Sequence, residues 1–137
     1  MPGIFTAYLQ VSDLERSLSF YRDGLGLEAE WNDGTLAVLR SPGSAAHTLV
    51  LREVGNGAER RLGEVGVTRI AWEMTGPADL DGAEERLSEH AVHYQRVRET
   101  EADRIFMRDP DGLTVILFHA GEQAPTGKPP ASLYWYR

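Results

Sequence analysis

Val11-Ser12-Asp13-Leu14-Glu15-Arg16-Ser17-Leu18-Ser19-Phe20-Tyr21, followed by Gly24-Leu25-Gly26, joins the end of a strand to a complete short helix. Residues 4–11 mix apolar and polar side chains in a β-prone run. Ser12 offers a helix N-cap and Glu15 stands three positions on, the capping-box spacing, so a helix is predicted from about Asp13. Leu14, Leu18, Phe20 and Tyr21 recur along one face. Gly24 supplies a residue free to take positive φ, which predicts the helix stop there.

Working outward, three β-like stretches follow at 27–31, 36–39 and 48–51, separated by turns at Asn32-Asp33-Gly34 and Ser41-Pro42-Gly43. Residues 55–65 hold Gly55, Gly57 and Gly63 among charges without periodicity and read as a linker. The order then repeats. Residues 67–74 form a strand, Asp81 and Glu84 a second capping box, and Ala83, Leu87 and Ala91 one face of a helix. Strands are predicted at 93–97, 104–107 and 113–119, with a turn at Asp109-Pro110-Asp111-Gly112. Thr48-Leu49-Val50-Leu51 and Thr114-Val115-Ile116-Leu117, the last strands of the two halves, are alike. A strand, a helix and three strands repeated at about 65 residues is an internal duplication into paired modules, not a solenoid. The class is α+β: module one over 4–54, linker 55–65, module two over 66–119 and a tail over 120–137, in one domain of 137 residues. Sheets of this kind carry a helix on one face. Their free faces either pair or curl around a cavity.

The composition narrows the function. Formal net charge is -7, from 21 acidic against 14 basic residues, and no run of five basic residues occurs, so neither nucleic acid nor an anionic membrane is an expected partner. No cysteine is present, which removes disulfides, thiolate nucleophiles and cysteine metal sites, and a cytoplasmic location is the simplest reading. No segment reaches the roughly 18 apolar residues that span a bilayer. Glycine-rich phosphate loop, nucleophile elbow and His-Glu-x-x-His helix are all missing.

The run from Val11 to Tyr21 with Gly24-Leu25-Gly26 resembles the opening signature of the vicinal oxygen chelate superfamily, which includes glyoxalases, bleomycin resistance proteins and extradiol dioxygenases. Asp109-Pro110-Asp111-Gly112 before the last strand is its second signature, and the run from Gly66 to Met74 resembles the first strand of its second module. The resemblance implies a half-open barrel of two βαβββ modules around a ligand cavity. It also implies a divalent metal held by histidine, histidine and glutamate. Aligned through those motifs, the three ligand positions fall on Thr6, Arg69 and Ile116. A hydroxyl, a fixed cation and a branched alkane do not replace two imidazoles and a carboxylate, so no metal or other cofactor is expected. A bound ion such as iron, manganese, nickel or zinc would show the alignment to be wrong.

His90, His93 and His119 read as solvent-facing or edge residues. His47 opens a strand resembling the one that carries a pocket acid–base histidine in extradiol dioxygenases; a one-residue change of register turns it to the other face. Strand parity gathers Thr6, Tyr8 and Gln10 on one face of the first strand, and Arg69, Ala71 and Glu73 opposite Ile70, Trp72 and Met74 on its counterpart. Thr6, Tyr8, Gln10, His47, Arg69, Glu73 and Ile116 are therefore the candidate ligand-binding residues. Trp31, Phe106 and Met107 are candidate apolar walls. The first functional reading is a metal-free protein that binds a small aromatic or anionic organic molecule, as a homodimer. The second is a lyase, isomerase or dioxygenase-like enzyme in which His47 handles protons and Arg69 stabilises an oxyanion. The third is a regulatory or structural partner module, supported by the apolar ending Leu133-Tyr134-Trp135-Tyr136-Arg137.

Overall fold

Asp13, not Ser12, caps the first helix. Its backbone is extended (φ −142°, ψ 113°) and its carboxylate accepts the Arg16 backbone N–H at 3.1 Å, while the Ser12 hydroxyl accepts from the Arg16 guanidinium at 2.7 Å. The cap is thus displaced by one residue and the expected capping box does not form, because the third helical position is then Arg16: a carboxylate satisfies the orphan amide and also the positive end of the helix dipole, which a hydroxyl does less well. Helix α1 (Leu14–Leu18) then widens into a π-helical turn (Ser19–Gly24), where the Leu25 N–H donates to the Phe20 carbonyl at 2.9 Å. Phe20 and Tyr21 are both buried there, edge to face, with ring centroids 4.8 Å apart. The left-handed residue that ends the segment is Gly26 (φ 82°), not Gly24.

The computed structural model describes residues 6–42, 48–55, 67, 69–99 and 102–120. They fall into two compact units, Met1–Arg61 and Leu62–Arg137, whose boundary lies within the expected linker. In the first, β1 (Thr6–Val11), α1, β2 (Glu28–Asn32), β3 (Leu36–Arg40) and β4 (Thr48–Glu53) form a sheet in the order β1-β4-β3-β2. In the second, β5 (Arg69–Glu73), α2 (Pro77–Glu89), β6 (Tyr94–Arg98), β7 (Ala102–Arg108) and β8 (Thr114–Ala120) repeat it in the order β5-β8-β7-β6. In both, the first strand runs parallel to the last and the other pairs are antiparallel. The duplicated α+β class is therefore the one found, two βαβββ modules.

Each helix covers one sheet face. In the first module α1 packs on β4, where Leu49 and Leu51 stand level with Ala7 and Leu9 of β1 and Leu39 and Ala37 of β3. Glu53, on the same face, accepts the Leu14 backbone N–H at 3.0 Å and so ties the helix start to the sheet. In the second module α2 buries Leu80, Ala83 and Leu87 against β7 and β8. The central strands read as continuous apolar runs because neither of their faces is wet: Val115, Ile116 and Leu117 are all buried.

Two expectations about α2 are corrected. Pro77 sits at its first turn, with Gly76 as N-cap, so Asp81 and Glu84 lie inside the helix and form no capping box. They bond Arg96 of β6 instead. Ala91 is not on the helix face but beyond the end, in the left-handed region (φ 55°). The Val92 N–H reaches the Leu87 carbonyl at 2.9 Å and the Ala91 N–H reaches Ser88 at 3.2 Å, a Schellman ending with alanine where glycine is favoured. Ala91→Gly is accordingly expected to stabilise the protein by about 1 kcal/mol, read as a higher urea midpoint at unchanged slope.

Candidate functional site

Parity sets the first module's helix-free face. Thr6, Tyr8 and Gln10 alternate away from α1, level with Thr48, Val50 and Arg52 of β4. The Thr6 and Thr48 hydroxyls share a hydrogen bond of 2.8 Å. Tyr8 is 78% exposed, and Trp31, which reaches the same face through its pairing with Val38, is 58% exposed. Arg40, level with Thr48, forms an ion pair with Glu30, the extra residue of a bulge between Ala29 and Trp31. His47 lies outside the described residues, as does the apolar ending 133–137.

The second module's helix-free face holds the other candidates. Arg69, Ala71 and Glu73 of β5 stand level with Thr114, Ile116 and Phe118 of β8, which face Arg108, Phe106 and Arg104 of β7. Arg69 and Glu73 share one face, as alternation predicted, and the pairing of β5 with β8 brings Ile116 to it. Phe106 belongs to it too, but Met107 does not: the odd residues of β7 point at α2, and Met107 is core. Thr114, Phe118, Arg104 and Arg108 were not anticipated. Alternation within β8 would have supplied Thr114 and Phe118 from Ile116, whereas Arg104 and Arg108 depend on the pairing of β7 with β8.

Arg104 dominates the electrostatics of this face. It is 7% exposed, yet its charge is fixed, because a guanidinium does not deprotonate in proteins. Its Nη1 donates to Glu99 Oε2 at 3.0 Å, and its guanidinium carbon lies 5.1 Å from the Phe106 ring centroid. That hydrogen bond, with the attraction of the cation, holds the Glu99 carboxyl below its usual range. Arg104 Nε is buried and makes no hydrogen bond, a cost of about 1–3 kcal/mol for an unsatisfied donor. On the opposite face, beneath α2, Arg96 is fully engaged. Nε and Nη2 take both oxygens of Asp103 at 3.0 and 2.7 Å, and Nη1 reaches Asp81 at 2.7 Å and Glu84 at 3.5 Å.

The histidines within the described residues sit at edges. His90 ends α2 with Nδ1 3.0 Å from the Arg86 carbonyl, His93 is exposed, and His119 Nδ1 lies 3.2 Å from the Met74 carbonyl. Among the described residues no group of three or more His, Cys, Asp or Glu could hold a metal ion. Thr6 spends its hydroxyl on Thr48 and Ile116 is a buried alkane, so with Arg69 these positions do not supply the donors a divalent ion takes.

A family model described as the glyoxalase/bleomycin resistance protein/dioxygenase superfamily matches residues 3–117. A curated relative, the manganese-dependent 2,3-dihydroxybiphenyl 1,2-dioxygenase of Geobacillus genomosp. 3, is 30% identical over 122 residues, which are 85% of this chain and 36% of that protein. The chain thus spans little more than a third of that relative's length. A solved glyoxylase/bleomycin resistance protein/dioxygenase domain from Frankia sp. EAN1pec superposes with a TM-score of 0.73 at 23% identity, over 90% of this chain and 95% of that one. A glyoxalase/dioxygenase from Nostoc punctiforme gives 0.73 at 20% identity, over 88% and 92%. At such identities the structures establish the fold alone. The manganese-dependent relative corrects one expectation: three unsuitable side chains do not justify expecting no cofactor, because dependence on a divalent metal occurs among this chain's own relatives. A match running from residue 3 to residue 117, across both modules, makes the chain a member of the glyoxalase/bleomycin resistance protein/dioxygenase superfamily.

Proposed function

We propose that this chain binds a small organic molecule, aromatic or anionic, against the helix-free face of its second sheet. The observation that carries the reading is the company that face keeps. Arg69 and Glu73 stand beside Ala71, and the partly exposed Phe106 and Phe118 lie in the neighbouring strands around the buried Ile116, so fixed charge borders an apolar strip on the face away from α2. Ligand sites are built this way, from apolar walls and a few placed polar groups. Thr6, Tyr8 and Gln10 offer a second, more polar face of the same design.

A screen of small aromatic and anionic molecules by thermal shift tests this, with hits followed by titration. A hit is expected to bind about tenfold more weakly to Arg69→Gln, the loss of one charged hydrogen bond. Ligands whose affinity is unaffected by Arg69, Glu73 and Phe106 substitutions would move the site off this face.

The dioxygenase relative favours a second reading, an enzyme of dioxygenase or lyase type with Arg69 stabilising an oxyanion and His47 moving a proton. The same purified protein, loaded with manganese and offered 2,3-dihydroxybiphenyl, separates the two. Turnover that is lost in both His47→Ala and Arg69→Ala supports the enzyme, and saturable binding without turnover supports the binding protein.

A further inference from the structure

We infer that Arg104 is the anchor for an anionic oxygen of the ligand, and that the ligand is a planar aromatic carboxylate. This rests on the small-molecule reading above and names the class of molecule. The second sheet contains two buried arginines on opposite faces, and their difference is informative. Arg96, under α2, has Nε and both Nη atoms engaged by three carboxylates and holds the helix to the sheet. Arg104, on the helix-free face, has Glu99 on Nη1 and nothing on Nε, although that atom is shut away from solvent.

A guanidinium cannot escape an unsatisfied donor by losing its proton, so Nε stays short of a partner until an acceptor oxygen is brought to it. Glu99 and Phe106 fix the plane of the group, which leaves the Nε edge pre-aimed rather than searching. Carboxylates meet a guanidinium edge in this way. Glu99 itself is half-exposed and neutralises the cation while the site is empty. The flat element comes from the rings: Phe106 lies under the guanidinium, and Phe118 stands level with Arg104 across the β7–β8 pair, each partly exposed. A carboxylate directly attached to an aromatic ring places its oxygen at Nε while the ring lies along the phenylalanines.

The test is titration of arginine-15N-labelled protein with benzoate and 2-naphthoate, and with the neutral benzamide and 2-naphthamide. The Arg104 Nε–Hε signal, assigned by its loss in Arg104→Lys, is expected to shift saturably with the acids, which bind about tenfold or more tightly than the amides. Arg104→Gln is expected to erase that preference, and Arg104→Lys to reduce it should the glutamine variant fail to fold. Glu99→Gln is expected to strengthen binding of the acids, because it removes the charge that already neutralises the guanidinium while keeping an acceptor for Nη1, an effect that a merely structural ion pair does not predict. Acids and amides binding alike with the Nε signal unmoved would overturn the anchor and leave the ligand face standing. No response to either acid would also overturn the anchor, and the wider reading would then be decided by neutral ligands in the screen above.

Discussion

Arg96→Met is expected to lower the stability of the protein by about 3 kcal/mol, because removing one partner of a buried charge cluster leaves the others uncompensated. The Arg96 side chain is 8% exposed and joins three elements: Asp103 on β7, and Asp81 and Glu84 on α2. Without it Asp103 keeps its charge under the helix, and the cation left beside it, Arg98 at 4.0 Å, is largely solvated. The figure stays at the low end of the usual range because Asp81 is largely solvated and recovers its hydration. The same cluster predicts the pH dependence. The bidentate bond from Arg96 is the main cause that draws the Asp103 carboxyl below its ordinary 3.8. A depressed carboxyl contributes stability that is fully present above its unfolded value and is lost as pH falls through its folded value. The wild-type protein is therefore expected to lose stability as acid is taken below 3.8, and Arg96→Met to lose less over the same interval. Urea melts of both proteins across the acid range read the two slopes. Parallel slopes would show that Asp103 does not feel Arg96.

Leu87→Ala is expected to cost about 3 kcal/mol, the transfer free energy of the deleted carbons plus the cavity they leave. Leu87 is fully buried and lies one turn and two turns from its partners Ala83 and Leu80 on the single face that seats α2. The helix has no side-chain cap, and isolated helices of its length are marginal in water, so this seat is what keeps it formed. Glu85→Ala, on the exposed face of the same helix, is the matched control and is expected to change stability by less than about 0.5 kcal/mol. Equilibrium urea unfolding of both variants checks the contrast. Equal midpoints would mean that α2 is not held through its apolar stripe.

The strand faces were legible before any tertiary structure. Side chains alternate across a strand by backbone geometry alone, so once β1 and β5 are recognised, Thr6, Tyr8 and Gln10 must share a face, and so must Arg69 and Glu73. The helix ends were legible only approximately. Asp13 against Ser12, Gly26 against Gly24 and the left-handed Ala91 were each settled by competition between neighbouring groups for the same few backbone amides and carbonyls. Asp81 and Glu84 have the spacing of a cap and serve as partners of an arginine that comes later in the chain.

By itself the sequence determined the class, the duplication and the order of elements, because hydrophobic period, turn residues and alternation are properties of a few consecutive residues. The tertiary structure decided which arginine is saturated and which is not. Arg96 and Arg104 look equivalent in the sequence, each in a short strand among charged neighbours. Only the pairing of β6 with β7 and β7 with β8 sends one under the helix into three carboxylates and the other to the helix-free face with an idle donor. Register is fixed by long-range hydrogen bonding and by burial of one face, and a shift of one residue in either strand would turn its arginine to the other face.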